Sequence, residues 1–258
     1  MPQLFDINLR ALRRDRTART GPELFLFDRV FNDCLERMQL MDRRFERALL
    51  IGCPDRSWPE RLVPVADSVD VRDPGPLLAK RAGGAAIIED AWEPPAQPYD
   101  LVLAIGTLDT VNDLPLALSL IRHAMAPDGL LIGAIAGGNS LPQLRAAMRA
   151  ADALVGRAAP HVHPRIDASA LSPLLADAGF ERPVVDVDRV RIAYGSLDRL
   201  VADLRAMAAT NILIARAPPF TRRQRDAALS AFANAGEGHR TTETFELLHF
   251  ASWTPKRG

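Results

Sequence analysis

The stretch ALLIGCPDRSW, residues 48–58, combines a buried-strand pattern with a turn that could hold a cofactor. Its apolar run ends at Gly52, and glycine lets a backbone take a positive φ and pass close to a ligand. Pro54, Asp55 and Arg56 follow where the turn of a nucleotide-binding α/β domain usually has further glycines. We therefore interpret these residues as a cofactor-binding turn that Pro54 and Arg56 weaken or abolish.

The two histidines of PHVHP and the cysteine of the glycine turn are the other candidates for chemistry. His161 and His163 lie two residues apart, so an extended loop places both on one side, where they could begin a metal site. No third ligand is spaced nearby, so we expect no metal, and the histidines either contact a substrate or hold a loop. Cys53 is either a thiol activated by a helix N-terminus or a small buried spacer.

The composition argues against a nucleic-acid-binding or membrane-spanning protein. The 258 residues include 32 basic and 32 acidic side chains, a net charge of +0, so we expect no nucleic-acid partner. The apolar run GLLIGAIAGG is shorter than the roughly 18 residues that a membrane span needs. Cys34 and Cys53 form no metal or disulfide pattern, which fits a reducing compartment, and we expect a cytoplasmic location. The oligomeric state stays open.

A local concentration of arginine near the start departs from this even charge. The stretch LRALRRDRTAR contains Arg10, Arg13, Arg14, Arg16 and Arg19. Such a run is either a contact surface for an acidic partner or a solvated helix face.

Hydrophobic periodicity predicts the elements that position these residues. Residues 23–47 have the apolar stripe of an amphipathic helix. Short apolar runs then predict parallel strands near 48–52, 67–71, 85–88, 100–105 and 129–136, and two later runs predict an antiparallel pair near 184–192 and 245–252. The predicted fold is α/β: a doubly wound, mostly parallel, seven-stranded Rossmann-like sheet with an antiparallel edge hairpin. We expect an N-terminal helical segment, residues 1–47, and one domain, 48–258, with helical insertions near 139–166 and 197–240.

The block from 99 to 145 carries a family resemblance. It contains an aspartate and an apolar strand, then VNDLP, PDG and a Gly-Gly turn before a helix, and PHVHP, LLADAGF and YGSLDRLVADLRAM follow. In this order the segments resemble the class I S-adenosylmethionine-dependent methyltransferases. Within them, the chain resembles the group of the mitochondrial complex I assembly-factor arginine hydroxylase and the malonyl-carrier-protein methyltransferase. The resemblance implies S-adenosylmethionine as cofactor.

The resemblance also implies positions for the cofactor. The turn at Gly52 would pass under its amino-acid end, and an acid ending the second strand would bind both ribose hydroxyls; Asp70 fits best, with Asp73 second. Asp90 and the Ala91 backbone would meet the adenine amine, and the end of the fourth strand would line the floor. The predicted cofactor-binding residues are therefore Gly52, Cys53, Asp70, Asp90, Ala91, Ala104 and Ile105.

Two departures from the family pattern bear on activity. Leu50, Pro54 and Arg56 replace the acid and the glycines of the first turn, and Asp109 with Thr110 stands where the group often has His-Trp, so we assign no catalytic residue. The first hypothesis is a methyltransferase-like enzyme acting on a protein or carrier-bound substrate, with hydroxylation implied by part of the group. The alternative is a non-catalytic binding module with this fold, in the assembly of a respiratory complex.

Overall fold

The computed structural model describes residues 3–256 as seven strands and nine α-helices. In chain order the elements are α1 (Ile7–Thr20), α2 (Phe25–Gln39), β1 (Phe45–Ile51), α3 (Trp58–Leu62), β2 (Ala66–Asp73), α4 (Pro76–Arg81), β3 (Ala85–Ala86), β4 (Tyr99–Ile105), a short 3-10 helix (Leu108–Thr110), α5 (Leu114–His123), β5 (Met125–Ala136), α6 (Pro142–Ala153), α7 (Ala168–Asp177), β6 (Glu181–Tyr194), α8 (Leu197–Ala206), α9 (Arg222–Asn234) and β7 (Thr241–Trp253). None of the helices in this described part is long and apolar enough to span a membrane.

The strands form one sheet in the order β3-β2-β1-β4-β5-β7-β6. Strands β1 to β5 run parallel, and β7 is antiparallel to both β5 and β6. The predicted doubly wound sheet with an antiparallel edge pair is confirmed. The continuous apolar runs that predicted the parallel strands are explained by β1, where residues 48–51 are all fully buried because helices cover both faces.

Two hydrophobic clusters lie on opposite faces of the sheet. One contains buried side chains of α2, α3, α6, α8 and α9, and the other contains those of α5 and α7. The predicted amphipathic helix corresponds to α2, whose buried stripe includes Leu26, Val30, Cys34 and Met38. It ends at Gln39 rather than near residue 47, and residues 45–47 already belong to β1. The predicted division at residue 47, and the insertions that would contain α6, α8 and α9, remain predictions.

Helix α1 is attached to the sheet by a polar face. Its buried residues are Arg10, Arg14, Thr17 and Ala18, which follow helical spacing but include no large apolar side chain. At Arg10 and Arg14 the arginine run is therefore neither a contact surface nor a solvated face, whereas Arg16 and Arg19 are exposed. The alternation of buried and exposed arginines divides the run between two faces of one helix.

Helix α6 begins with a cap supplied from another element. Leu141 precedes it in the left-handed conformation, at φ 62°, and its apolar side chain cannot accept a hydrogen bond. The buried carboxylate of Glu243, on β7, instead accepts from the backbone N–H groups of Gln143 at 3.3 Å and Leu144 at 2.8 Å. Burial raises the pKa of Glu243, which the backbone hydrogen bonds oppose. This contact ties the N-terminus of α6 to β7.

We expect Glu243→Ala to lower the free energy of unfolding by about 1 to 3 kcal/mol, because it leaves buried backbone donors at the α6 N-terminus without an acceptor. Denaturant titration of the variant against the parent measures this. The exposed Glu237 provides the control, since Glu237→Ala should change stability little. Equal losses in the two variants would contradict the capping role.

Candidate cofactor cleft

The turn after β1 is pressed between the neighbouring strands at their carboxyl ends. Gly52 has φ 84°, and a side chain there would place its Cβ 2.3 Å from the Ile105 carbonyl oxygen. The Gly52 N–H donates to the Arg72 carbonyl at 2.8 Å. Only glycine fits this conformation and this space. The predicted close approach of the backbone at Gly52 is thus present, and Ile105 lies beside it.

Asp73 ends β2 and is fully buried. Its carboxylate accepts from the backbone N–H groups of Cys53 at 2.8 Å and Gly75 at 2.7 Å. It also accepts two bonds from the Arg14 guanidinium, Nε at 2.7 Å and Nη2 at 2.6 Å. Burial alone would lower the pKa of Arg14, but the adjacent Asp73 carboxylate outweighs it and the pKa is raised.

A second buried pair lies beside the first. Glu89, which follows β3, is fully buried and accepts from both terminal nitrogens of Arg10, at 2.7 and 2.8 Å. Arg10 also donates to the Thr107 carbonyl at 2.6 Å. Since Arg10 and Arg14 are one helical turn apart on α1, a single helix sends two guanidinium groups to the carboxyl ends of the strands.

The other predicted acids lie elsewhere. Asp70 is within β2, opposite Leu49, and its carboxylate accepts from Arg47 at 2.6 Å and from the Tyr99 hydroxyl at 2.8 Å. It is not at the carboxyl edge because β2 continues to Asp73, beyond the predicted end at residue 71. The structure therefore brings Asp73, the second choice, to the turn rather than Asp70.

The predicted adenine contacts, Asp90 and Ala91, have partners within the chain, and their role toward a cofactor remains a prediction. Asp90 accepts from the backbone N–H groups of Asn112 at 3.1 Å and Asp113 at 2.9 Å, and it orders that loop. The Ala91 N–H donates to the Ile88 carbonyl. Glu89, one residue earlier, is the acid that pairs with Arg10, whose side chain lines the cavity. Ala104 is buried, but it belongs to the hydrophobic cluster on the α5 and α7 face.

Pro54 and Arg56, the two residues expected to obstruct the turn, differ in their exposure to solvent. Pro54 is buried, whereas the Arg56 side chain is exposed and borders an open depression on the surface. The side chains that enter the cleft are those of α1 instead. Sequence reasoning missed Glu89 and the role of Arg10 and Arg14, although the spacing of four between the arginines is a helical signal.

Cys53 and the histidines have structural partners. Burial and the nearby Asp73 raise the pKa of Cys53 to about 12, which favours the spacer interpretation over a reactive thiol. His161 Nε2 lies 2.9 Å from Asp152, whereas His163 Nε2 accepts from the Ile212 N–H at 2.9 Å. Since the two rings face different partners, they do not converge, and no group of three potential metal ligands lies together within residues 3–256.

A cavity of about 100 Å³ is lined by Arg10 and Arg14 and extends over the face of the sheet that α2 and α8 cover. Its wall includes Phe27, Asp109, His163 and Arg165, with Arg165 Nη1 3.2 Å from Asp109. A second cavity, of about 300 Å³, shares His163 and Arg165 with it and is bounded by α6, α8 and α9. Thus the PHVHP loop separates the cleft from an adjoining apolar chamber.

Most of the chain matches a known protein family. A family model described as "Methyltransferase domain" matches residues 23–185, more than half of the chain. The chain belongs to this methyltransferase family. The matched residues include β1 to β5, the Gly52 turn and Asp73.

Individual relatives are consistent with this family. The methyltransferase-domain chain is 28% identical over 274 residues to the mouse mitochondrial arginine-hydroxylase NDUFAF5, covering 97% of this chain and 77% of the relative. The zebrafish protein of that name is 34% identical over 61% of this chain, and a malonyl-[acyl-carrier protein] O-methyltransferase of Xylella fastidiosa is 31% identical over 60%. These matches span about half of the relatives' length, 50% and 52%.

Solved structures show the same fold at low identity. YcgJ of Bacillus subtilis superposes with a TM-score of 0.58 at 8% identity, covering 88% of this chain and 100% of its own. The N-methyltransferase NodS of Bradyrhizobium japonicum, in complex with S-adenosylhomocysteine, gives 0.52 at 15% identity, covering 96% and 99%.

The buried His163 generates a pH-dependence prediction. Burial, with Arg165 nearby, lowers the pKa of His163 to about 4, below the 6.5 of a free histidine. The unfolded chain therefore binds a proton that the folded chain excludes, and stability falls as pH drops from 6.5 toward 4, by about 3 kcal/mol in total. Urea unfolding across this range should show a shallower fall for His163→Gln. The exposed His123 is the control, and a profile of His163→Gln parallel to the parent would contradict the assignment.

Proposed function

We propose that this chain is an S-adenosylmethionine-dependent methyltransferase that acts on a protein or on a substrate bound to a carrier. The observation that carries the proposal is the buried Asp73 carboxylate, which ends β2 and meets the backbone of the Gly52 turn. Membership of the methyltransferase family supports it. The name of the carrier-protein O-methyltransferase relatives supports the substrate class.

The residues at the cleft suit the adenosine half of the cofactor in type and place. A carboxylate at the end of β2, Asp73, can accept from ribose hydroxyls, and Glu89 after β3 can accept from the adenine amine. When bound, the cofactor supplies the activated methyl group. Methyl transfer depends mainly on aligning the nucleophile with that group, so the chain's contribution is to position both and to exclude water.

The second candidate is a non-catalytic binding module, as the resemblance to complex I assembly factors suggests. Its supporting observation is that Asp73 and Glu89 already hold guanidinium partners, while Leu50 and Pro54 replace residues that usually serve the turn. The arginine-hydroxylase relatives add a further reaction to distinguish, since their name describes oxygen insertion. Mass spectrometry of a modified substrate would separate added methyl from added oxygen.

The working environment belongs to the proposal as well. Cys34 and Cys53 are buried and free, which supports a reducing compartment such as the cytoplasm. The balanced charge of the chain supports a protein or carrier partner rather than a nucleic acid.

Calorimetric titration tests the proposal directly. We expect S-adenosylmethionine and S-adenosylhomocysteine to bind saturably with one site per chain. NAD⁺ is the control ligand, because it contains adenosine but lacks the sulfonium amino acid, and it should not bind. Absence of binding by both sulfur compounds would favour the binding module.

Asp73→Asn should weaken S-adenosylhomocysteine binding by about 1 to 3 kcal/mol, roughly 5- to 150-fold, because an amide keeps only one acceptor oxygen. The Arg10–Glu89 pair is retained in this variant and keeps α1 docked. The loss of affinity is therefore not offset by the gain that undocking of α1 would give. Asp70→Asn is the matched control, and its dissociation constant should equal that of the parent. A selective loss in Asp70→Asn would return the ribose site to the residue that the sequence favoured.

A further inference from the structure

The attachment of α1 differs from that of the other helices that cover the sheet. α2 and α6 bury stripes that include leucines, whereas the buried face of α1 is made of Arg10, Arg14, Thr17 and Ala18, and its Leu12 is 63% exposed. A helix usually gains most of its tertiary stabilisation from an apolar stripe. In α1 only Ile7 and Leu9 pack on a small apolar cluster near its start, and Asp15 accepts from the Leu77 N–H at 2.7 Å. The fully buried contacts of α1 with the strand ends are the two guanidinium–carboxylate pairs.

These pairs take up acceptor capacity that a ligand would use. An ionised carboxylate has about four acceptor positions, and Asp73 already receives Cys53 N–H, Gly75 N–H and two bonds from Arg14. A diol can therefore bind Asp73 only if Arg14 withdraws. Glu89 receives two bonds from Arg10, one on each oxygen, so Arg10 takes about half of its acceptor capacity.

Exchange of partners at these carboxylates is energetically accessible. Burying an ion pair removes both charges from water, and that loss of hydration offsets much of the attraction between them. An arginine that returns to solvent recovers its hydration, provided that the carboxylate finds another donor. The two pairs therefore select where α1 docks without fixing it there against a competing ligand.

Backbone hydrogen bonds attach the chain on both sides of α1 to the end of α8 and the segment after it, whereas the face between them is held by the arginine pairs. Before the helix, the Asp6 N–H donates to the Ile212 carbonyl at 2.8 Å and the Ile214 N–H donates to the Leu4 carbonyl at 3.0 Å. After the helix, the exposed Gly21 has φ 92° and no atom within 4 Å of the position of a Cβ. The first end is held by the chain beyond α8, and the chain after Gly21 is held by the end of α8, where the Glu23 N–H donates to the Ala206 carbonyl at 3.1 Å.

We propose that α1 is a built-in occupant of the cofactor cleft, in which Arg10 and Arg14 hold Glu89 and Asp73 until S-adenosylmethionine replaces them. This inference rests on the proposed function, because it concerns access to the same site. Cofactor binding and undocking of α1 are then one coupled equilibrium. The apparent affinity is reduced by the fraction of molecules in which α1 is docked, and the cofactor in turn shifts α1 outward.

The decisive variant is Arg10→Gln/Arg14→Gln, compared with Arg16→Gln/Arg19→Gln. Both doubles remove two charges from the same helix, but Arg16 and Arg19 are exposed. Calorimetry with S-adenosylhomocysteine should show roughly tenfold or tighter binding for the first double, because the competing docked state is lost. The second double should bind like the parent.

Amide hydrogen exchange of the parent chain gives an independent readout. Saturating S-adenosylhomocysteine should accelerate exchange in residues 7–20, while the turn at residues 52–55 becomes more protected. This measurement also decides the matter if the first double variant does not fold.

Three results would overturn the inference, and they differ from each other. Weaker binding by Arg10→Gln/Arg14→Gln would make these arginines part of the cofactor site. Increased protection of α1 with ligand would make it a lid that closes over the cofactor. In both cases the proposed function stands, whereas failure of the parent and of every variant to bind S-adenosylhomocysteine would remove the proposed function together with this inference.

Discussion

The Asp73 carboxylate is the point on which the organisation of the cleft depends. A fully buried carboxylate must have hydrogen-bond donors around it, because an unpaired buried charge is strongly unfavourable. Its donors come from three separate parts of the chain: the turn after β1, the turn after β2 and helix α1. The hydrogen bonds to this one side chain therefore bring the three segments together, and the Glu89 pair adds the segment after β3 to the same group.

The two cavities described above lie next to these segments. With α1 held against the strand ends, the Phe27 ring lies over Gly106, where an added Cβ would be 2.6 Å from the ring. The space that remains passes Asp109 and Arg165 to the chamber beneath α6, α8 and α9. His163 stays uncharged at neutral pH in the wall between them, because burial disfavours its imidazolium form. The region where a substrate would meet the cleft is thus mainly apolar, with one guanidinium–carboxylate pair.

The strands and the type of sheet that they form could be predicted from the sequence. The side chains that meet in the cleft could be predicted only in part. Strand positions follow from local apolar runs, and helices on both faces make those runs continuous. The acids in DSVDVRD recur at 67, 70 and 73, and only the true length of β2 decides which of them reaches its end. At IIED, a difference of one residue decides whether Glu89 or Asp90 pairs with Arg10. The arginine pairs are harder still, since Arg10 and Glu89 are 79 residues apart and local patterns carry no information on such partners.

The position of β7 has a consequence for how the protein is made. β7 lies between β5 and β6, and within residues 3–256 it is the sheet partner through which β6 joins the rest. On the ribosome, β6 must therefore wait until the following helices and β7 have been synthesised, with Val184 and Val187 on an unpaired strand in the meantime. Such strands are prone to associate with other chains. A nascent chain stalled before residue 241 would leave β5 without its β7 neighbour and β6 without a partner, so synthesis of β7 is the step that joins the two parts of the sheet.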